Sequence, residues 1–314
     1  MAAIVRPLTQ ADLPQARRIC GVAFGTFLGA PDPDTFWNDL DYVYGRFGAE
    51  HVASFGAELN GELVGSNFAT RWGSLAFFGP LSARPDVQGQ DIGKALVQAV
   101  SDQFETWGVH HGGLCTFPQS PLHIALYNKF GFRARFLTLI MRAPAAAAAE
   151  PGAWARYSEL SEGDQRAAEA GCREVADALY RGLDLTSEIR TASQRQLGDT
   201  VVLWEGASRV AGFAVCQWGP ASEAGSGNCY VKFGAVLPGS GADARFGALL
   251  DACGSLAVSV GVPNVLAGVN LAREEAYLHM AARGFRSATH VVTMHRPNEP
   301  AYSRPGVFAL DDWR

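Results

Sequence analysis

The sequence predicts an α/β protein of two tandem domains, each a mixed, mostly antiparallel sheet flanked by helices. Three observations carry this. The chain of 314 residues is long for one core and suits two domains of about 150 residues each. A low-complexity stretch from Pro144 to Gly152, bracketed by prolines and filled with alanine, reads as a linker. The segments on either side of it repeat one another. At a constant offset of 153 positions, the step from Pro85 to Pro238, Ala95-Leu96 falls on Ala248-Leu249 and Gly108 on Gly261. Gly131-Phe132-Arg133 then falls on Gly284-Phe285-Arg286, Met141 on Met294, and Pro144 on Pro297. This is an internal duplication of one unit. The expected boundaries are residues 1–144 for the first domain, 145–152 for the linker, 153–298 for the second domain and 299–314 for a C-terminal tail.

The elements follow in order. Ile4 to Leu8 is a short strand, and Thr9 to Asp12 starts a helix that runs through Ile19 and Ala23. Residues 51–59 and 62–72 form a hairpin around Asn60-Gly61, the strongest two-residue turn signal. Residues 74–84 supply a further strand. From Ile92 the apolar positions Ala95, Leu96, Ala99, Val100, Phe104 and Trp107 keep helical spacing until Gly108 stops them. Gly113 to Phe117 is a strand, Leu122 to Phe130 a helix closed by Gly131, and Phe136 to Arg142 a last strand.

Composition narrows the function. At 48% hydrophobic and 18% charged, with a net charge of −5, the chain has no basic stripe for nucleic acid. It has no apolar run of the roughly 18 residues that a membrane span requires. The start, Met1 to Gln10, lacks the features of a signal peptide, so a cytoplasmic protein is expected. The six cysteines are scattered without a C-x-x-C pair, and the seven histidines form no H-x-x-x-H pattern. They read as reduced thiols and ordinary histidines, with no metal site.

The stretch that bears on chemistry is Asp86-Val87-Gln88-Gly89-Gln90-Asp91-Ile92-Gly93-Lys94, between a strand and a helix. Glycine there lets the backbone curl, and free N–H groups at the positive helix end suit an anion. On its own the stretch equally fits a plain helix start capped by Asp91. With Leu81-Ser82-Ala83-Arg84-Pro85 before it, it resembles motif A of the GNAT N-acetyltransferase superfamily: a strand, a proline, then Q/R-x-x-G-x-G/A. Downstream, Leu126-Tyr127-Asn128-Lys129-Phe130-Gly131-Phe132 is similar to the family's motif B, L-Y-x-x-x-G-F. The two motifs are separated by one strand, as in the family, and the resemblance covers nearly the whole chain.

The resemblance implies an N-acetyltransferase using acetyl-CoA as co-substrate. Leu81, Ser82 and Ala83 would hydrogen-bond the pantetheine arm. Gln88, Gly89, Gln90, Asp91, Ile92, Gly93 and Lys94 would wrap the pyrophosphate. Tyr127 would protonate the departing thiolate while an amine attacks the thioester directly. Ser120 takes the cofactor-side place of an asparagine often found seven residues before that tyrosine. Asp91 stands where the family usually has glycine. Cys115 replaces the glutamate base of the ribosomal-protein enzymes, which argues against that substrate class. Asp34, Glu58, His123 and a chain of waters are the candidates for a base. Packed only against the Gly131-Phe132 turn, Tyr127 would instead be a core residue.

The second copy departs at these positions. Gly93 becomes Phe246, which would set a ring where a phosphate should sit; Tyr127 becomes Met280 and Ser120 becomes Arg273. Phe246, Leu249, Leu250, Cys253, Ala257 and Val260 keep helical spacing, so the copy retains packing and loses chemistry. It could cover the first copy's substrate groove, pair two chains as a homodimer, or bind an effector. The tail from Arg304 to Arg314 is aromatic and acidic and is expected to dock. The acceptor is expected to be a small-molecule amine. Candidate groove residues are Asp32, Asp34, Trp37, Tyr42, Trp72, Phe77 and Phe78, acidic and aromatic groups that suit a cation. Two alternatives stand beside this: an acyl-CoA-binding sensor or inactive partner subunit, and a tandem acetyltransferase like the mycothiol synthases. The latter resemblance puts cofactor chemistry in the second copy.

Overall fold

The computed structural model describes residues 3–149, 152–206 and 209–313. Met1, Ala2, Glu150 and Pro151 of the linker, and Arg314 of the tail lie outside the described residues. The first half contains β1 (Ile4–Pro7), α1 (Leu13–Leu28), β2 (Val52–Leu59), β3 (Glu62–Trp72), β4 (Leu75–Phe78), β5 (Ser82–Ala83), α2 (Ile92–Thr106), β6 (His111–Thr116), α3 (Pro121–Lys129) and β7 (Arg133–Pro144). The second contains β8 (Trp154–Arg156), α4 (Glu162–Leu179), α5 (Thr186–Gln194), β9 (Gly198–Glu205), β10 (Arg209–Gly219), β11 (Gly225–Val236), α6 (Ala242–Ser259), β12 (Asn264–Asn270), α7 (Glu274–Ala282) and β13 (Arg286–Arg296). A short strand, β14 (Ala309–Asp311), ends the chain.

Local signals act as their chemistry dictates. Asn60 and Gly61 both take positive φ, 54° and 83°, the pair that a two-residue hairpin between β2 and β3 needs. The strand expected over 74–84 is broken. Gly79 sits at φ 146° and Pro80 has no N–H to give the ladder, so β4 stops at Phe78 and β5 resumes the antiparallel pairing along β3 one residue out of register, Ser82 opposite Ser66 and Ala83 opposite Gly65.

The described strands form a single mixed sheet in the order β1-β2-β3-β4-β6-β13-β7-β12-β11-β10-β9-β8. Only β4–β6 and β11–β12 run parallel. The two parallel pairs are related by the sequence repeat: Leu75 opposes His111, and Asn228 opposes Asn264, each 153 positions on.

The last strand of each half lies in the other half's place. By local connection β6 should pair with β7, and β12 with β13. Instead β6 pairs with β13 (Cys115 opposite Thr293) and β12 pairs with β7 (Ala267 opposite Met141). The exchanged strands also pair with each other along their length. The halves therefore share one continuous backbone ladder.

Helices bury their apolar faces on this sheet. Leu96, Val97, Val100 and Phe104 of α2 are at most 2% exposed. So are Phe246, Leu249, Cys253, Leu256 and Ala257 of α6, while Val260 falls just past its end. Each such large side chain contributes roughly 1.5–3 kcal/mol on burial. A buried polar seam adds a second junction between the halves. Arg46 pairs with Glu223 at 2.7 Å, Lys232 reaches the same carboxylate at 2.7 Å, and His51 and the Trp72 indole meet Glu188 at 2.9 and 3.0 Å.

Candidate active site

The parallel pairing of β4 with β6 ends at Phe77 opposite Gly113. Beyond that point the strands splay. Gly79-Pro80-Leu81 stays along β3, and Leu114 to Thr116 stay along β13. A cavity of about 360 Å³ opens between them, lined by both segments and by Tyr127. The break in β4 therefore creates the opening.

Beside this cleft lies the loop into α2. Gly89 and Asp91 both take left-handed backbone, φ 82° and 59°, which curls the chain at the helix start. Among the described residues no hydrogen-bond acceptor meets the N–H groups of Gly89, Asp91, Ile92, Gly93 or Lys94; the first in-helix bond of this turn is Ala95 N–H to Asp91 O at 3.0 Å. Five free amides beside a helix N-terminus form an anion nest. Asp91 makes no side-chain cap bond and is exposed, so its role here is conformational, not the cap of the plainer reading. A Cβ on Gly89 would point into open space, and one on Gly93 would reach Leu126 at 3.4 Å.

Tyr127 stands on the inner face of α3, 6% exposed, its ring edge-on to Phe78 at 5.7 Å. Its hydroxyl pairs with the Thr116 side chain at the end of β6. Burial pushes the phenol well above its ordinary range, so it keeps its proton at neutral pH. Ser120 caps α3, its Oγ accepting from His123 N–H at 3.4 Å. Cys115 lines the cavity with its thiol 3.6 Å from the Thr293 hydroxyl of β13.

Of the three side chains weighed as bases, the structure brings only His123 to the cavity, one helical turn before Tyr127. Burial lowers its pKa, which keeps the imidazole neutral and able to accept a proton. Asp34 is exposed and pairs with Arg18 at 3.0 Å; Glu58 pairs with Arg6 at 3.0 Å on the outer strand pair. A neutral base one turn from the acid has a simple signal in sequence, an i, i+4 pair on one helix face.

The expected groove residues divide. Trp37, Tyr42 and Phe78 line the cavity. Trp72 and Phe77 do not: their rings lie 4.0 and 5.7 Å from Trp313 of the tail, in a core shared with the second half. Asp32 only caps a short turn, its carboxylate accepting from Asp34 N–H at 3.2 Å.

The equivalent cleft of the second half is filled by the chain itself. The pairing of β11 with β12 ends at Val231 opposite Ala267. From there β14 pairs with β11, Phe233 opposite Asp311 through Ala235 opposite Ala309. Gly234 to Val236 are the repeat positions of Leu81 to Ala83, so the tail bonds the strand expected to carry a pantetheine arm in the first half. β14 also presses on β12, where a methyl on Gly268 would meet Asp311 O at 2.5 Å. Arg273, at the place of Ser120, is fully buried and pairs with Asp311. The Phe246 ring does not enter a phosphate nest as the sequence suggested; it turns into the core, 5.4 Å from Phe308 of the tail and 6.1 Å from His279. Arg245 closes the loop instead, its guanidinium donating to Leu237 O and Ser240 O.

The described residues contain no group of three or more His, Cys, Asp or Glu placed to hold a metal ion, and no helix long and apolar enough to cross a membrane. The cysteines are all free.

Residues 22–132 match the acetyltransferase (GNAT) family. The chain is 29% identical over 161 residues to a mycothiol acetyltransferase of Streptomyces coelicolor, a match covering 44% of this chain and 51% of that protein. It therefore spans about half the length of that curated relative. Among solved structures, a GCN5-related N-acetyltransferase from Sphaerobacter thermophilus is similar in fold, with 19% identity, 93% of this chain and 95% of that chain covered, and a TM-score of 0.58. A tandem GNAT protein from the clavulanic acid biosynthesis pathway gives 14% identity, 93% and 98% coverage, and a TM-score of 0.54.

Proposed function

We propose that the chain is a tandem member of the GNAT superfamily, supported by the family match over residues 22–132 and the tandem fold, and that it is an acetyl-CoA-dependent N-acetyltransferase whose chemistry resides in the first half. The observation that carries this is the asymmetry of the two clefts: open beside free amides and Tyr127 in one half, filled by β14 in the other. Residues 1–144 form the cofactor and catalytic unit and 145–152 the linker. Residues 153–298 form a scaffold and 299–314 its plug.

In this reading the free amides of Gly89 and of Asp91 to Lys94 hold the pyrophosphate, with the Gln88 and Gln90 side chains beside them, and Leu81 to Ala83 hold the pantetheine arm. Ser120 orders the start of α3 beside them. A small-molecule amine attacks the thioester carbonyl; the new C–N bond forms as the C–S bond breaks. Tyr127 gives its proton to the departing thiolate, and the proton shed by the amine passes to His123 and returns to the tyrosinate. The products are an amide and free coenzyme A.

The reading is tested by calorimetric titration of acetyl-CoA into the wild type and into Gly93→Phe. One site per chain, lost in the variant, is expected, because a Cβ on Gly93 already reaches Leu126 at 3.4 Å and a ring there must force α2 and α3 apart beside the free-amide loop. Retained affinity in the variant would overturn the loop assignment, and two sites per chain would overturn the closed second cleft.

A pH profile follows from the two shifts. With His123 held below the usual histidine value by burial and Tyr127 above the usual tyrosine value, kcat/KM is expected to fall on the acid side, below the usual histidine range, where His123 becomes protonated. With an arylamine acceptor, whose own nitrogen carries no proton in this range, it should stay flat on the alkaline side, because Tyr127 keeps its proton there. His123→Gln should remove the acid limb along with most of the rate; an unchanged limb would assign it to another group.

The likeness to a mycothiol acetyltransferase favours a second reading, a mycothiol-synthase-like tandem enzyme. Cofactor chemistry in the second copy, as that resemblance implied, would require β14 to leave its cleft.

A further inference from the structure

The cavity that holds Tyr127 carries no Asp, Glu, Lys or Arg among its described lining residues. Its acceptor side is built from rings: Phe24 and Trp37 lie 4.4 Å apart, Trp37 and Tyr42 4.9 Å, and Phe24 meets Phe117 edge-on at 6.1 Å. The nearby acids are walled off. Asp34 and Asp41 line a separate, outward-facing depression, where each is already paired, with Arg18 and Arg17 respectively. Trp37, Leu40 and Tyr42 line both spaces and so form the partition between them.

A cation gains nothing from this partition. The ring of Tyr42 already has the Arg46 guanidinium 5.6 Å from its centroid, so its π-system serves a buried positive charge. An ammonium entering the cavity would lose water without meeting a carboxylate. An apolar ring would instead find edge and face partners on several sides. Two further wall positions, Thr289 and Val291, come from the exchanged strand β13, so the second half contributes to the pocket.

We infer that the acceptor is a monoamine bearing an aromatic ring and no second charge, bound as the free base, with its ring against the wall formed by Phe24, Trp37 and Phe117 and its nitrogen toward His123 and Tyr127. This rests on the acetyltransferase reading above, and it replaces the cationic acceptor that acidic residues near the groove suggested. The neutral amine attacks the thioester without first surrendering a proton, and His123 takes the one released when the amide forms. The exchanged strand gives the second half a part in acceptor choice as well as in folding.

The test is acetyl transfer by the full chain to four amines at equal concentration, followed as thiol release: 4-methylaniline, 2-phenylethylamine, spermidine and glucosamine. The ring-bearing monoamines are expected to lead in kcat/KM by at least about 10². A lead by spermidine or glucosamine would overturn this inference and leave the acetyltransferase reading standing. Failure with all four, alongside saturable acetyl-CoA binding, would overturn both. A second variant addresses the wall itself. Thr289→Glu, at an exposed position of the cavity mouth, should shift the spermidine-to-methylaniline ratio toward spermidine by roughly tenfold, the effect of one new charge at partly screened range. An unchanged ratio in a folded variant would remove β13 from acceptor selection.

Discussion

Tyr127→Phe is expected to cut turnover by about 10²–10⁴-fold while acetyl-CoA binds with nearly unchanged affinity. The substitution removes one oxygen and keeps the ring that packs on Phe78 and, through it, on Phe132. Stability should change little, because the Thr116 hydroxyl that loses its partner borders the cavity and can turn to water. The effect should therefore appear in kcat and not in the binding isotherm. A buried phenol with a raised pKa is a weak acid, but the thiolate it serves is generated in contact with it and needs a donor only as the C–S bond breaks. Unaltered turnover in the variant would remove Tyr127 from the mechanism and return it to the packing role that its helix position also permits.

Asp311→Ala is expected to lower unfolding free energy by about 3–5 kcal/mol, the usual cost of stranding one member of a buried ion pair. Arg273 is fully buried, pairs with Asp311 and lies over the Tyr302 ring at 5.4 Å; the Tyr302 hydroxyl also donates to Asp311, at 3.0 Å. Without the carboxylate the guanidinium loses the counter-charge it pairs with, and β14 loses its side-chain anchor. Denaturant titration measures the change. Asp311→Asn should cost less, since an amide oxygen still accepts. A loss below about 1 kcal/mol for the alanine variant would mean that the tail is held by its backbone ladder and apolar contacts alone.

How much of this was legible in the sequence depends on what each signal measures. The duplication, the hairpin at Asn60-Gly61 and the free-amide loop are local patterns, and the structure contains each. The exchange of β7 and β13 is not local. Both strands carry the same repeat pattern, so the offset fits either partner equally well, and pairing is decided by packing across the whole sheet. Trp72 and Phe77 read as groove residues because strand periodicity gives which face a side chain takes but not what covers that face. His123 and Tyr127 share a helix face, a visible spacing. That Asp34 lies behind a wall of Trp37, Leu40 and Tyr42 depends on a chain path between α1 and β2 that has no periodicity to read.

The exchange of strands also bears on how the chain is made. Synthesis delivers β6 long before β13, its eventual neighbour, and until then that side of β6 is an unpaired edge. Ribosomal pauses or chaperones that protect this interval would matter more here than for a bead-on-a-string protein. The duplication has in this sense become irreversible: a gene split at the linker would yield two pieces, each holding the strand the other needs.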